Sequence, residues 1–121
     1  MPSPSRARGD AAEKAAATFL KAQGYTLLAR NVSTRVGEID IIAADGETLC
    51  FVEVRSRSSE EFGPPHASVG RRKQARLRAA ASAYLAARRL HERLCRFDVV
   101  ALTARPDDQC GWDIELLRDA F

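Results

Sequence analysis

Gly37-Glu38-Ile39-Asp40-Ile41-Ile42 and, further along, Phe51-Val52-Glu53-Val54-Arg55 decide how this chain is read. Both runs are rich in β-branched and aromatic residues, and Asp45-Gly46 between them is a hairpin signal. The pattern predicts strands over 36–43 and 48–57, lying side by side. Side chains alternate along a strand, so Glu38 and Asp40 are expected on one face, and Glu53 and Arg55 likewise. Pairing then brings Asp40 close to Glu53, among apolar residues that belong to a core.

Upstream, Ala12, Ala15, Ala16, Phe19 and Leu20 recur at the spacing of an amphipathic helix over 9–23, with Asp10 as a cap and Gly24 as the stop. A strand over 25–32 follows. Downstream, Gly63-Pro64-Pro65 marks an exposed loop over 58–68. A long helix is expected over 69–94, with Leu77, Ala81, Tyr84 and Leu85 packed on the sheet. Two strands, 96–103 and 112–117, close the chain around Arg105-Pro106-Asp107-Asp108. The order αβββαββ predicts an α/β domain over 9–121, a mixed sheet flanked by helices, behind a mobile tail over 1–8.

The composition excludes several classes. Of 121 residues, 45% are hydrophobic and 29% charged, ordinary for a folded globular chain. No apolar run nears the ~20 residues that span a bilayer, and Met1–Arg8 has no apolar segment behind its charges. The expectation is a cytoplasmic protein with no membrane partner. Three cysteines without a CxxC pair, and two distant histidines, argue against a disulfide framework or a zinc site, and favour cysteines packed in the interior. Net charge is +3, and of 19 basic residues all but Lys14, Lys21 and Lys73 are arginine. Guanidinium suits bidentate phosphate contacts, although a coding bias toward Arg would give the same count.

Two neighbouring carboxylates repel and raise one another's pKa. A divalent cation relieves that, and hard oxygen ligands favour Mg²⁺ or Mn²⁺. Arg55 adds a fixed positive charge on the face of Glu53. Metal beside cation is the chemistry that a phosphodiester requires. The competing reading has Asp40 and Glu53 merely paired with Arg55 or other arginines at a sheet edge.

The two strand motifs resemble the D…ExK signature of the PD-(D/E)xK nuclease superfamily, which has the restriction-endonuclease-like fold. The whole chain is similar to the YraN family, a bacterial group in that superfamily related to archaeal Holliday junction resolvases. The likeness runs through Gly9 with Glu13, Gly24-Tyr25, Arg30-Asn31, both strand motifs, Phe62-Gly63 and Cys95-Arg96-Phe97-Asp98-Val99-Val100-Ala101. It implies that Asp40 and Glu53 are metal ligands, with the Val54 carbonyl as a third. It also matches Glu13 to an acidic residue that related resolvases place near the metal. Asp10-x-x-Glu13 has, equally, the spacing of a capping box. Arg55 departs from the superfamily's Lys. Some YraN-like proteins share Arg there; it cannot be a general base, but it can orient water and hold a phosphate oxygen.

Arg71, Arg72, Lys73, Arg76 and Arg78 crowd the start of the second predicted helix with no acid between them, a phosphate-tracking surface to which Arg57 would add. An ordinary solvated helix face is the alternative. The expected function is a Mg²⁺- or Mn²⁺-dependent nuclease acting on DNA. A nucleic-acid-binding module that has lost the reaction, and a protein-interaction subunit, are the rivals. A two-fold symmetric DNA junction would call for a homodimer.

Overall fold

The computed structural model describes residues 4–58, 69–90, 92–105 and 111–121, with side chains from Gly9 onward. The expected exposed loop, His91, Cys110 and most of the Arg105–Asp108 connection lie outside the described residues. Elements run α1 (Pro4–Ala22), β1 (Thr26–Thr34), β2 (Gly37–Asp45), β3 (Thr48–Arg57), α2 (Arg71–Arg88), β4 (Cys95–Ala104) and β5 (Trp112–Leu117). This is the αβββαββ order read from the sequence.

The sheet is mixed, in the order β1-β2-β3-β4-β5. Strands β1 to β3 form an antiparallel meander, and β4 and β5 are an antiparallel pair. The β3–β4 pairing is parallel, with Glu53 opposite Val99 and Arg55 opposite Ala101. A parallel neighbour needs a long crossover, and α2 lies within it. The predicted hairpin closes between Asp45 and Thr48, with Gly46 at φ +61°.

The two faces of the sheet carry different cores. Ala12, Ala16, Ala17 and Leu20 of α1 pack with Ile41, Ala43, Cys50, Val52, Val100 and Leu102. On the other side Ala80 and Ala81 of α2 pack with Ile39, Ile42, Leu49 and Phe51. Strand β3 is buried on both faces and is the spine of the molecule. Ile39 and Ile42 share the α2 cluster while Ile41 lies with α1, so the strict alternation expected along β2 breaks at Asp40.

Both helices differ from expectation at one end. Helix α1 begins at Pro4, so residues 4–8 are helical rather than part of a tail, and Asp10 lies within the helix instead of capping it. Proline suits a first helical position because its missing N–H would have no partner there. Gly9 inside the helix costs only about 1 kcal/mol relative to Ala. Helix α2 stops at Arg88 rather than at 94. Arg89 takes the left-handed conformation (φ +57°), Leu90 N–H donates to Leu85 O (2.9 Å), and Leu90 packs on the α2 core. That hydrophobic contact offsets the strain of a non-glycine cap. Cys95 is exposed, against expectation, whereas Cys50 is interior as expected.

A polar group is fully buried toward the β2–β3 hairpin end of the sheet, where no residue pattern announces one. Asp98 on β4 is 0% exposed. Its Oδ2 accepts from the Tyr25 hydroxyl (2.7 Å) and Arg96 Nη2 (2.9 Å). Its Oδ1 accepts from Arg96 Nε (2.8 Å) and the Asp119 amide (2.9 Å). Arg96 also reaches Asp45 Oδ2 at 2.9 Å, so one carboxylate ties the end of α1, the β2 turn and the C-terminal segment to β4. Burial pushes the Asp98 carboxyl upward, but the Arg96, Asp119 and Tyr25 hydrogen bonds outweigh it and hold it below its ordinary value. Burial and the same carboxylate push the Tyr25 hydroxyl up to about 12.

Asp98→Ala takes the acceptor from the Tyr25 hydroxyl, Arg96 Nε and the Asp119 amide, leaves Arg96 with Asp45, and should cost about 3 kcal/mol in urea unfolding. Because the folded pKa is depressed, the contribution is complete above the unfolded carboxylate range near pH ~4. It is lost as pH falls through the depressed value. A pH series of urea midpoints should therefore show wild type and Asp98→Asn converging in acid.

Candidate metal and nucleic-acid site

The β2–β3 ladder ends at Ile41 opposite Val52. Beyond it β2 departs, and β3 is left with an amide that needs an acceptor. Asp40 supplies one: its Oδ2 accepts from the Val54 N–H at 2.9 Å. A side-chain oxygen thus replaces a strand carbonyl at a fork between two strands. The Val54 side chain packs on the α1 core while its neighbours Glu53 and Arg55 face the other way, as strand alternation requires.

Glu53 is 6% exposed. Lys73, in the first turn of α2, places Nζ 2.6 Å from Glu53 Oε1, and its own side chain is 48% exposed. Burial, and then the charge of Asp40, raise the Glu53 carboxyl above its usual range; Lys73 and Arg55 pull the other way. From the opposite side comes Glu13 of α1. Burial, and then Asp40, raise it too, against Arg30 and a hydrogen bond from Asn31. Glu13 Oε1 is buried and accepts no hydrogen bond, its ion-pair partner Arg30 Nη2 standing off at 3.7 Å.

Asp40 is therefore the shared neighbour of two carboxylates, one from each side of the fork. With α1 starting at Pro4, Glu13 stands in the body of the helix, and the capping-box alternative falls away. Among the described residues no three acidic, His or Cys groups are drawn tightly enough to enclose a metal ion as they stand. Asp40 is bonded to an amide and Glu53 to an ammonium. The donor set nevertheless fits a hard divalent cation: three oxygen-bearing groups, two destabilised by a shared negative neighbour, and one buried oxygen that accepts no hydrogen bond.

The expected basic residues divide. Arg71, Arg72, Lys73 and Arg76 lie in the first turns of α2, toward solvent. The stem of Arg76 lies across Gly37, where an added Cβ would meet its Cγ at 3.4 Å. Gly37 also has φ +154°, so glycine there serves both the backbone and the approach of α2. Arg57 Nε bonds Thr103 Oγ1 at 3.4 Å. Arg78 is occupied differently from expectation: it stacks over Phe97 (5.1 Å) and Phe121 (5.5 Å), about 7.5 Å along the helix axis from Lys73. Gln74 donates from Nε2 to Val69 O at 2.6 Å and pins the entry to the helix.

Sequence reasoning assigns Lys73 to phosphate tracking and misses its contact with Glu53, because the rotation of α2 over the sheet is set by packing alone. It also misses Asn31, whose left-handed φ of +51° no pattern announces.

These elements define a class: an α/β domain whose one mixed sheet gathers carboxylates where two strands fork. The chain belongs to the uncharacterised protein family UPF0102, whose model matches residues 12–102, a span that includes Glu13, Asp40, Glu53, Arg55 and Lys73. This is the YraN family anticipated from the motifs. Among its relatives, a UPF0102 protein of Moorella thermoacetica is 47% identical over 116 residues, 96% of each chain. One from Symbiobacterium thermophilum is 47% identical over 117 residues, 97% of this chain and 98% of its own. One from Syntrophus aciditrophicus is 46% identical over 113 residues, 93% and 87% of the two chains. Among the described residues no helix is long and apolar enough to cross a membrane.

A carboxylate with a raised folded pKa is a cost to the fold wherever it is ionised. Glu13→Gln should accordingly stabilise the metal-free protein at pH 7.5 by a few tenths to about 1 kcal/mol in urea unfolding with EDTA. The gain should shrink as pH falls through the raised folded value and vanish below the ordinary Glu range near pH ~4.3.

Proposed function

We propose that this chain is a metal-dependent endonuclease that hydrolyses nucleic-acid phosphodiesters, with DNA as its substrate. One observation carries the reading: Asp40 lies between Glu53 and Glu13, whose buried Oε1 accepts no hydrogen bond, at the strand fork beside Arg55 and the cationic start of α2. The first six elements of the chain, αβββαβ, follow the order of the restriction-endonuclease-like core. Asp40, Glu53 and Glu13 would hold Mg²⁺ or Mn²⁺, with the Val54 carbonyl beside them. Such an ion, when bound, activates water and offsets charge on phosphorus.

The protein's own groups do the rest. Asp40 keeps its place because the Val54 amide fixes one oxygen, leaving Oδ1 for a ligand. Arg55 is held on the face of Glu53 by strand alternation, where it can bond a phosphate oxygen and orient water. Arg71 and Arg72 have no acidic neighbour in the first turn of α2, which favours an anion there. A two-fold junction would be met by a homodimer presenting two such forks.

Asp40→Asn and Glu53→Gln should each lower Mg²⁺-dependent cleavage at least about 100-fold while leaving the circular dichroism spectrum unchanged. The assay is a labelled panel of single strand, duplex, flap and four-way junction with Mg²⁺, Mn²⁺ or EDTA. Cutting by either variant at the wild-type rate would overturn the assignment. Arg71→Ala and Arg72→Ala should weaken binding to all panel members alike, each reducing the salt slope by about 1.

A second reading is favoured by Arg55 itself, the residue that stands where the superfamily has Lys. In that reading the chain binds nucleic acid without cutting it. Binding that falls steeply with salt, no cleavage with either metal, and activity created by Arg55→Lys would decide for it.

A further inference from the structure

Lys73 is oddly placed for a residue that only tracks phosphate. Its ammonium is spent on Glu53, the most buried carboxylate of the fork, at 2.6 Å. The helix that carries it begins at Gly70 with no side-chain cap and no acid in its first turn, yet has Arg71, Arg72 and Lys73 there. Cations at that end oppose the helix dipole. Glu53 offsets the cost for Lys73. On the far side of Asp40, Glu13 Oε1 has only a loose ion pair with Arg30 at 3.7 Å and accepts no hydrogen bond. The fork is therefore half neutralised, by a flexible side chain whose stem is open to solvent.

We propose that Lys73 is a resident counter-ion of the carboxylate site, holding Glu53 in the metal-free protein and yielding it to an incoming divalent cation. The proposal rests on the reading of the fork as a metal site. Lysine suits this role, because its ammonium is a compact charge on a four-carbon stem, able to leave one partner without disturbing the helix that bears it. Arg55 is fixed to β3 and contributes charge at the same carboxylate without being the group in contact. Lys73 thereby sets metal affinity as a competitor, a role that neither phosphate tracking nor simple helix docking would give it.

Mn²⁺ titration of the full chain at pH 8, by calorimetry without nucleic acid, separates these roles. Lys73→Met keeps the stem and removes the competing charge, and should bind Mn²⁺ about tenfold tighter than wild type, equivalent to 1.4 kcal/mol. Lys73→Arg retains a cation and should bind at or below wild-type affinity. Glu53→Gln should lose binding. Equal affinities for wild type and Lys73→Met, with binding still lost in Glu53→Gln, would overturn the counter-ion role and leave the metal site standing. Failure of wild type and Lys73→Met alike to bind Mn²⁺ would overturn the metal reading, and this inference with it.

Discussion

A strand buried on both faces must have its amides bonded on both edges, and β3 meets that demand in two ways. Along 48–52 the partner is β2, and along its other edge it is β4. Where β2 departs, the requirement persists, because an unpaired buried N–H costs about 1–3 kcal/mol. Asp40 meets it with a side-chain oxygen, and the carboxylate is fixed at the mouth of the fork. Glu53 follows from the same constraint, since the residue before Val54 must face α2. Site geometry is thus a by-product of how a central strand completes its hydrogen bonds.

The same principle explains why the fork is electrostatically tense. Asp40 cannot move away from Glu53 without abandoning the Val54 amide. Glu53 cannot turn to water without leaving β3. Burial raises both Glu53 and Glu13, and Asp40 adds to each. Elsewhere the protein shows that it can neutralise a buried acid fully: Asp98 has four donors and sits below its ordinary value. One end of the sheet is therefore bolted and the other left under-compensated. The contrast lies in donors: Asp98 collects four, whereas Glu53 faces one ammonium and a second carboxylate.

Much of this is legible in the residues alone. The meander can be read because Ile, Val and Phe crowd two runs joined by Asp45-Gly46, and the strand over 48–57 matches residue for residue. Asp40 and Glu53 follow from pairing those runs. The start of α1 cannot be read, because the stretch before Gly9 has polar residues and no apolar stripe. The break in alternation at Asp40 is equally hidden, since it reflects the end of a ladder rather than any residue preference. Asp98 belongs to a recognisable run on β4, but its role is invisible there: its partners Tyr25 and Arg96 lie 73 and two residues away, and only the folded sheet brings them together. Arg78 looks like one more basic residue until the aromatic pair from β4 and the C-terminus falls under it.

The contrast between Arg78 and Lys73 shows how far a charge count can mislead. Both stand in one run of basic residues, yet helix geometry sends the first toward Phe97 and Phe121 and the second toward Glu53. Arginine is suited to the aromatic position, where a flat, weakly hydrated cation stacks well. Lysine is suited to the carboxylate, where a compact charge can be exchanged for another. In a chain with so few lysines, the one in α2 occupies a place where guanidinium would grip the acid in two bonds and release it reluctantly. If the fork is the metal site proposed above, Arg55 and Lys73 would divide what a single strand lysine does, the first as a charge fixed on β3 and the second as a cation that can move.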